Sequence, residues 1–498
     1  MATTLAMSWE EWGRTDGLAL AELVRAGKLT RGELAAQAAA GVARVNPRLE
    51  AVIEVFDDVL ADPGIDKPDP AGALAGVPIF LKDLGSGLKG RRQEAGSALL
   101  AGTVLGQTDP LVANYLRAGM APLGRSTTPE FGLTFDTVTD YPGGLRVSRN
   151  PWNLERTPGG SSGGSAAVVA AGVTPISMAT DGGGSIRIPA SFCGLVGLKP
   201  SRGRVAPPFA RNEYVSRTSV EGVVTRSVRD TAAVLDYITA GPKGGSFIRM
   251  APPAGSYLDA LRSDPAPLRI ALSTGDWGRA TRTDPEVAGR VREVARVLEA
   301  LGHHVEEIGD REICAWETLW RGFITGWVGS RLMFRTMAER RGLSEAQLHE
   351  RLNPMTWRHY IAAQRYSVLD MFAMMEANNT VTRQWGALMT RYDALLCPAI
   401  AIRVARANGP YSLLLDEEID GWIGRLTDAA RYTMPANETG LPAISLPAGR
   451  DTDGLPIGVQ LYGDFGREDV LLGLAAQLER ARGDWFGAVP PVHVGSAG

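Results

Sequence analysis

The sequence lacks the features of a nucleic-acid binder, a stapled scaffold or a membrane span. Lysine and arginine number 52 against 55 acidic residues, a formal net charge of −3, so there is no basic footprint for nucleic acid. Three cysteines, Cys193, Cys314 and Cys397, stand far apart, which excludes a disulfide framework and a zinc knuckle and favours a reducing compartment. No run of about twenty apolar residues occurs; the charge-free stretch Thr157 to Thr180 is broken by Pro158, Pro175 and a Gly/Ser cluster. The start has acidic residues and Trp9 and Trp12 but no basic segment leading into an apolar one, so a cytoplasmic protein is expected. Histidine is scarce (His303, His304, His349, His359 and His493). Lysine is scarce too, with Lys28, Lys67, Lys82, Lys89, Lys199 and Lys243 beside 46 arginines. That bias follows base composition, but it has a chemical side: lysine can lose its proton in a protein and arginine cannot.

What is present describes a globular α/β chain. The 498 residues are 44% hydrophobic, ample for a substantial core. Helical spacing covers Leu18 to Arg25, and Thr30 with Glu33 forms a capping box for a second helix that Asn46-Pro47 is expected to stop. Strands are expected at Leu49–Phe56, Val77–Leu81 and Ala121–Ser126, with a Pro/Asp/Gly-rich linker over Asp62–Gly72 and a helix over Pro110–Gly119. Leu268–Ser273, Asp284–Gly302 and His304–Ile308 read as strand, helix and strand. From about Glu312 to Thr433 the texture is mostly helical and rich in Trp and Met, broken by a strand at Ala394–Ile402. Those side chains suit ordinary core-facing helices, and part of them also suits a wall for a bulky apolar ligand.

The stretch Thr157 to Leu198 carries the chemistry. Only Asp181 and Arg187 are charged in it, and it holds two glycine loops, Gly159 to Ser165 and Asp181 to Ser185, each leading into an apolar segment. Gly159 to Gly163 satisfies G-x-S-x-G, but the preceding Arg149 to Pro158 cannot be the central strand that an α/β-hydrolase elbow requires. The phosphate-loop pattern fails at Ser165-Ala166, and Ser86 to Lys89 matches S-x-x-K only in a glycine-rich setting that makes a poor helix. Consecutive glycines bare several backbone N–H groups, and such a nest stabilises an oxyanion. A serine at its end, Ser185, is placed to be the nucleophile and then needs a base. No histidine is local, so a lysine made neutral by burial is the alternative. Lys82, ending the apolar run Val77 to Leu81, is the best placed, although a lysine at such a place is more often a solvated strand-end side chain. Lys199, followed by Pro200 and Arg202, reads as part of a surface turn.

These residues resemble the amidase signature family. The likeness is carried by Gly159 to Ser165, by Asp181 to Ala190 with Cys193 to Pro200, and by Gly76 to Asp83. It extends to Arg146 to Leu154, Gly440 to Pro447 and Gly454 to Gln460, and is weakest between about 310 and 430. The resemblance implies a large mixed β-sheet covered by helices on both faces, an α/β fold with a helical variable insertion. It implies an N-terminal helical segment over 1–70, a core over 71–310 and 430–490, and a variable substrate-pocket region over 311–430, all in one unit. It further implies a Ser–cis-Ser–Lys triad, with Ser185 as acylating nucleophile, Ser161 as bridge and Lys82 as base. Ser161 rather than Ser162 is the bridge because the family's two serines stand 24 positions apart, as Ser161 and Ser185 do. A cis peptide at Gly160-Ser161 and an oxyanion hole from the backbone of Gly182, Gly183, Gly184 and Ser185 are implied with it. Position 182 usually carries a larger residue in the family, so a looser loop is expected here. The expected activity is hydrolysis of an amide or carbamate (urethane) C–N bond, with no cofactor and no metal. A small-molecule substrate is the expected partner, a homodimer is compatible with the chain, and neither nucleic acid nor membrane is expected. The competing readings are the amidase component of a transamidating complex and an α/β-hydrolase-type esterase.

Overall fold

A computed structural model of the chain describes residues 5–141, 143–211, 218–239, 241–244, 248–251 and 253–496. The first four residues of the segment read for a targeting signal lie outside them. Thirteen strands are formed among the described residues. They are β1 (Val52–Val55), β2 (Pro78–Lys82), β3 (Ala121–Ser126), β4 (Val138–Thr139), β5 (Arg146–Val147), β6 (Ile176–Asp181) and β7 (Val196–Lys199), followed by β8 (Val220–Thr225), β9 (Arg269–Leu272), β10 (His304–Glu307), β11 (Ala394–Pro398), β12 (Ala443–Arg450) and β13 (Pro456–Gly463). Eleven of them make one sheet in the order β1-β3-β2-β6-β8-β7-β12-β13-β11-β9-β10, and β4 and β5 make a separate ribbon. β3, β2 and β6 run parallel, the next pairs are antiparallel through β13 and β11, and β11, β9 and β10 are parallel again.

Side-chain alternation along these strands separates two apolar cores. Ile270, Leu396, Ile444 and Leu461 belong to one cluster, while their chain neighbours Ala271, Leu395, Ala443 and Tyr462 belong to the other. The first cluster is covered by helices that include Arg31–Leu49, Val228–Ile238, Pro285–Ala300 and Glu468–Ala481. The second is filled by the Trp-rich segment, where Trp277 stacks on Trp316 at 4.8 Å and meets Trp385 edge-on. The mixed sheet with both faces covered is the α/β architecture expected. The sheet also draws on the outlying segments: β1 from the N-terminal part is one edge, and β11 from the variable region lies inside, between β13 and β9.

Two local expectations are corrected. The second helix does not stop at Asn46-Pro47 but runs Arg31–Leu49, with Glu50 in the left-handed region at φ 48°. Pro47 sits in the last turn, where it forfeits the bond to the Ala43 carbonyl but has almost no helix beyond it to kink, and the Asn46 side chain takes the N–H groups of Ala51 and Val52 at 2.8 Å each, trimming the strand to β1. Lys199 is not in a surface turn. It ends β7 between two sheet neighbours, is wholly buried, and donates to the Pro200 carbonyl at 2.8 Å.

Candidate active site

β2 and β6 are adjacent parallel strands, and their C-terminal ends deliver the two halves of the site. In open α/β sheets ligands collect at such ends. All five residues of β2 are buried. Enclosing Ile79, Phe80 and Leu81 contributes on the order of 1.5–3 kcal/mol each, which offsets the cost of dragging the Lys82 amine out of water. Lys82 Nζ donates to Ser161 Oγ at 2.7 Å, Thr180 Oγ1 at 2.9 Å and Ser162 Oγ at 3.0 Å. No carboxylate stands within ion-pair distance of it among the described residues. Asp83, next in the chain, is turned away to Arg125 Nη1 at 2.7 Å and to the N–H groups of Glu94 and Gly96. Burial therefore dominates, and it lowers the Lys82 pKa from 10.5 to about 7 against the weaker pull of Asp181 and Glu221.

The two serines after Gly160 are both buried, and they are sorted by contact with the cavity. Ser162 is fully buried, holds the N–H of Thr180 at 3.2 Å and stands at the start of the helix Gly163–Ala170. Ser161, reached through a cis peptide from Gly160, lines the cavity together with Ser185. Ser161 Oγ lies so close to Gly132 that a Cβ there would stand 2.8 Å from it. Among the described residues Ser185 Oγ makes no hydrogen bond and remains free to turn toward Ser161 or a ligand. The segment before Gly159 is loop, not strand, so the strand–turn–helix of an α/β-hydrolase elbow is absent here.

The loop after β6 is braced by the stretch's two charges. Asp181 accepts the N–H of Gly184 at 2.7 Å and of Ile186 at 3.1 Å, and it pairs with Arg187 inside the protein. Arg187 reaches on to the Thr433 carbonyl, Gln460 and Asn437, each at 2.7 Å. The Arg187 guanidinium holds the Asp181 carboxyl well below the usual carboxylate range, despite burial. This corrects one expected donor: the Gly184 N–H is committed to Asp181. The N–H groups of Gly182, Gly183 and Ser185 have no partner among the described residues. Gly184, at φ 131° with a would-be Cβ 2.4 Å from Thr433 Oγ1, admits only glycine. At Gly182 the nearest atom to a Cβ would be 3.7 Å away, so a Cβ is accommodated there. Reading the sequence missed the roles of Arg187, Thr433, Asn437 and Gln460; the signal for the first was its isolation with Asp181 in a charge-free stretch.

The cavity these groups face measures about 850 Å³. Phe131, Phe135, Phe323, Trp327, Ile188, Leu426 and Met434 form much of its wall. Within the Trp- and Met-rich stretch, Trp327, Met333, Met337, Met371 and Met374 reach the cavity, whereas Trp316, Trp320, Trp385 and Trp422 stay in the core. No group of three His, Cys, Asp or Glu placed to hold a metal ion occurs among the described residues. No helix there is long and apolar enough to cross a membrane.

Known proteins resemble this chain along most of its length. The sequence model of the Amidase family matches residues 33–472. The 6-aminohexanoate-cyclic-dimer hydrolase of Paenarthrobacter ureafaciens is 36% identical over 493 residues, covering 94% of each chain. A glutamyl-tRNA(Gln) amidotransferase component from a Picosynechococcus species is 30% identical over 90% of this chain and 94% of its own. Among solved structures, a 6-aminohexanoate cyclic dimer hydrolase superposes with a TM-score of 0.87 at 32% identity, covering 96% of this chain and 99% of that one. A bacterial aryl acylamidase does so with a TM-score of 0.83 at 26% identity, over 95% and 98%.

Proposed function

We propose, from the premise that this chain belongs to the amidase signature family and is a hydrolase of amide C–N bonds, that Ser185, Ser161 and Lys82 are its nucleophile, bridge and base. The observation that carries this reading is a lysine amine with no carboxylate partner, 2.7 Å from a serine that opens on the same cavity as Ser185. Ser185 Oγ attacks the carbonyl while its proton passes through the Ser161 hydroxyl to neutral Lys82. The oxyanion forms against the free N–H groups of Gly182, Gly183 and Ser185. On collapse the C–N bond breaks, and the relay returns the proton to the departing amine. Water then attacks the Ser185 ester, giving up its proton along the same route and freeing the acid.

The substrate proposed is a bulky, largely apolar amide, anilide or carbamate. A cavity of about 850 Å³ with aromatic and methionine walls supports this, as does the likeness to proteins named for a cyclic oligoamide and for aryl acylamides. A carbamate offers serine the same carbonyl, so it needs no additional group. A fluorophosphonate probe should add one label, on Ser185. Ser185→Ala should remove both label and turnover, and Ser161→Ala should cost about 10²–10⁴-fold in kcat, the range of a lost proton-transfer partner. Near-normal turnover in folded Ser185→Ala would overturn the assignment. So would a hydrolase active only on small polar amides, for the substrate class.

A further inference from the structure

The wall of the cavity contains a cation that the hydrolytic steps do not use. The helix Trp316–Gly329 continues into a 3₁₀ turn, Ser330–Leu332. Phe323, Gly326, Trp327, Ser330 and Arg331 all line the cavity, a spacing that puts them on one face. The stripe starts at the catalytic end, since the Phe323 ring lies 3.6 Å from where a Cβ on Gly183 would stand. It ends at Arg331, roughly 12 Å further along the axis.

Arg331 has no ion-pair or hydrogen-bond partner among the described residues, and its Nε is sealed from solvent unsatisfied. The other charges on the wall are occupied. Asp109 holds the N–H groups of Gly87 and Phe209, Arg211 pairs with Glu221, and Glu438 is engaged as well. His359, which feels the Arg331 charge, is kept neutral by burial, its pKa pushed down to about 3. Burial lowers the Arg331 pKa as well, to about 10, which leaves it charged at neutral pH. A half-buried cation with a sealed, unsatisfied Nε and no counterion is costly, and an anion arriving in the cavity reduces that cost.

We propose that Arg331 docks a substrate carboxylate, so that the preferred substrates are amides or carbamates with an anionic end group on the order of 10 Å from the scissile carbonyl. This rests on the amidase reading of the cavity. It narrows the substrate class from bulky apolar amides to chains that are apolar in the middle and anionic at one end. The guanidinium fork suits a carboxylate by two parallel hydrogen bonds.

Two matched pairs test it: suberic acid monoanilide against octananilide, and N-benzoyl-aminohexanoate against N-hexylbenzamide. The native protein should favour the anionic member of at least one pair by about 10- to 100-fold in kcat/KM, chiefly through KM. Arg331→Met should cut that ratio tenfold or more, and Arg331→Lys should retain part of it. No preference in either pair, or one that survives Arg331→Met, overturns the proposal. Calorimetric titration of Ser185→Ala with suberic acid monoanilide, with and without Arg331→Met, reads docking without turnover. Binding that depends on Arg331 while the native protein hydrolyses none of the four would retain the anion site and refute the amidase reading for these substrates. Equal binding by both variants would refute the site.

Discussion

Replacing Lys82 by arginine keeps the positive charge and most of the length, and it should abolish turnover. The displacement of the Lys82 pKa from 10.5 to about 7 corresponds to roughly 5 kcal/mol of preference for the neutral amine. At pH 7 about half of the native molecules then carry the free base. Arginine starts from 12.5, and the half-buried Arg226 and Arg331 of this same chain fall only to about 10. Even with that depression, on the order of one molecule in 10³ would be neutral at pH 7, and the planar guanidinium does not fit a cradle of three hydroxyls. The loss in kcat/KM should therefore reach 10³-fold or more. For the native protein, anilide hydrolysis followed from pH 5.5 to 9.5 should rise with unit slope and level off near pH 7. Stability should move with it. Unfolded chains hold the Lys82 proton up to about 10.5 while folded ones release it near 7, so stability should climb with pH across that interval, and Lys82→Met should lose the climb. Lys82→Arg retaining more than a few per cent of activity, or a native profile with no basic limb between pH 6 and 8, would refute the reasoning.

Gly132→Ala should cost activity more than stability: φ is 67°, and the new Cβ would stand 2.7 Å from Leu84 Cδ2 and 2.8 Å from Ser161 Oγ. About 1–3 kcal/mol of strain is expected by thermal unfolding, with a kcat loss of at least tenfold from a displaced Ser161. Asp181→Asn breaks a buried ion pair and slackens the oxyanion loop, so chemical denaturation should show about 3–5 kcal/mol less stability. The Asp181 carboxyl is held low in the folded state, so its contribution is present above about pH 4 and is lost as pH falls through its lowered value. The variant should lack that acid-side loss. Glu130 behaves oppositely. Burial raises its pKa from 4.5 to about 7, so its effect on stability is favourable below 4.5 and fades as pH rises through 7. Glu130→Gln, whose amide can still serve Ser97 Oγ and the Asn353 N–H, should gain up to about 3 kcal/mol at pH 8 over the native protein and little at pH 4.5. A Glu130→Gln gain equal at both pH values would count against this.

Several elements were legible because their cause is local. Ala121–Ser126 fits one strand length after a helix expected to end at Gly119, is followed by Thr127-Thr128, and is β3 residue for residue. The capping box of Thr30 and Glu33 needs only a three-residue spacing and is formed at 3.2 Å and 2.7 Å. Elsewhere the cause is distant. Lys199 looked solvated because Pro200 and Arg202 follow it, yet β8 and β12 close over β7 from parts of the chain that no local pattern announces. Trp327 and Trp316 have the same local texture, but Trp327 meets the cavity and Trp316 stacks on Trp277. The Gly184 N–H is committed by a contact only three residues long, to Asp181, whose carboxylate is in turn held by Arg187 and by Asn437 from a distant part of the chain.

By itself the sequence determined the chemistry on offer: two glycine loops bearing serines, a charge-poor block around them, and a lysine at the end of an apolar strand. Composition and spacing are enough for that, because they state which side chains exist and which backbone is bare. Only the tertiary structure decided what that lysine is. Its ordinary pKa belongs to water, and the low one arises when the β2–β6 contact seals the amine among three hydroxyls while Asp83 is drawn away to Arg125. Desolvation and the distance to the nearest opposite charge are properties of packing, and they lower the proton affinity of Lys82, as burial also does that of Lys199. The same packing leaves Arg331 in the cavity wall without a partner, which no reading of 46 arginines along the chain could single out.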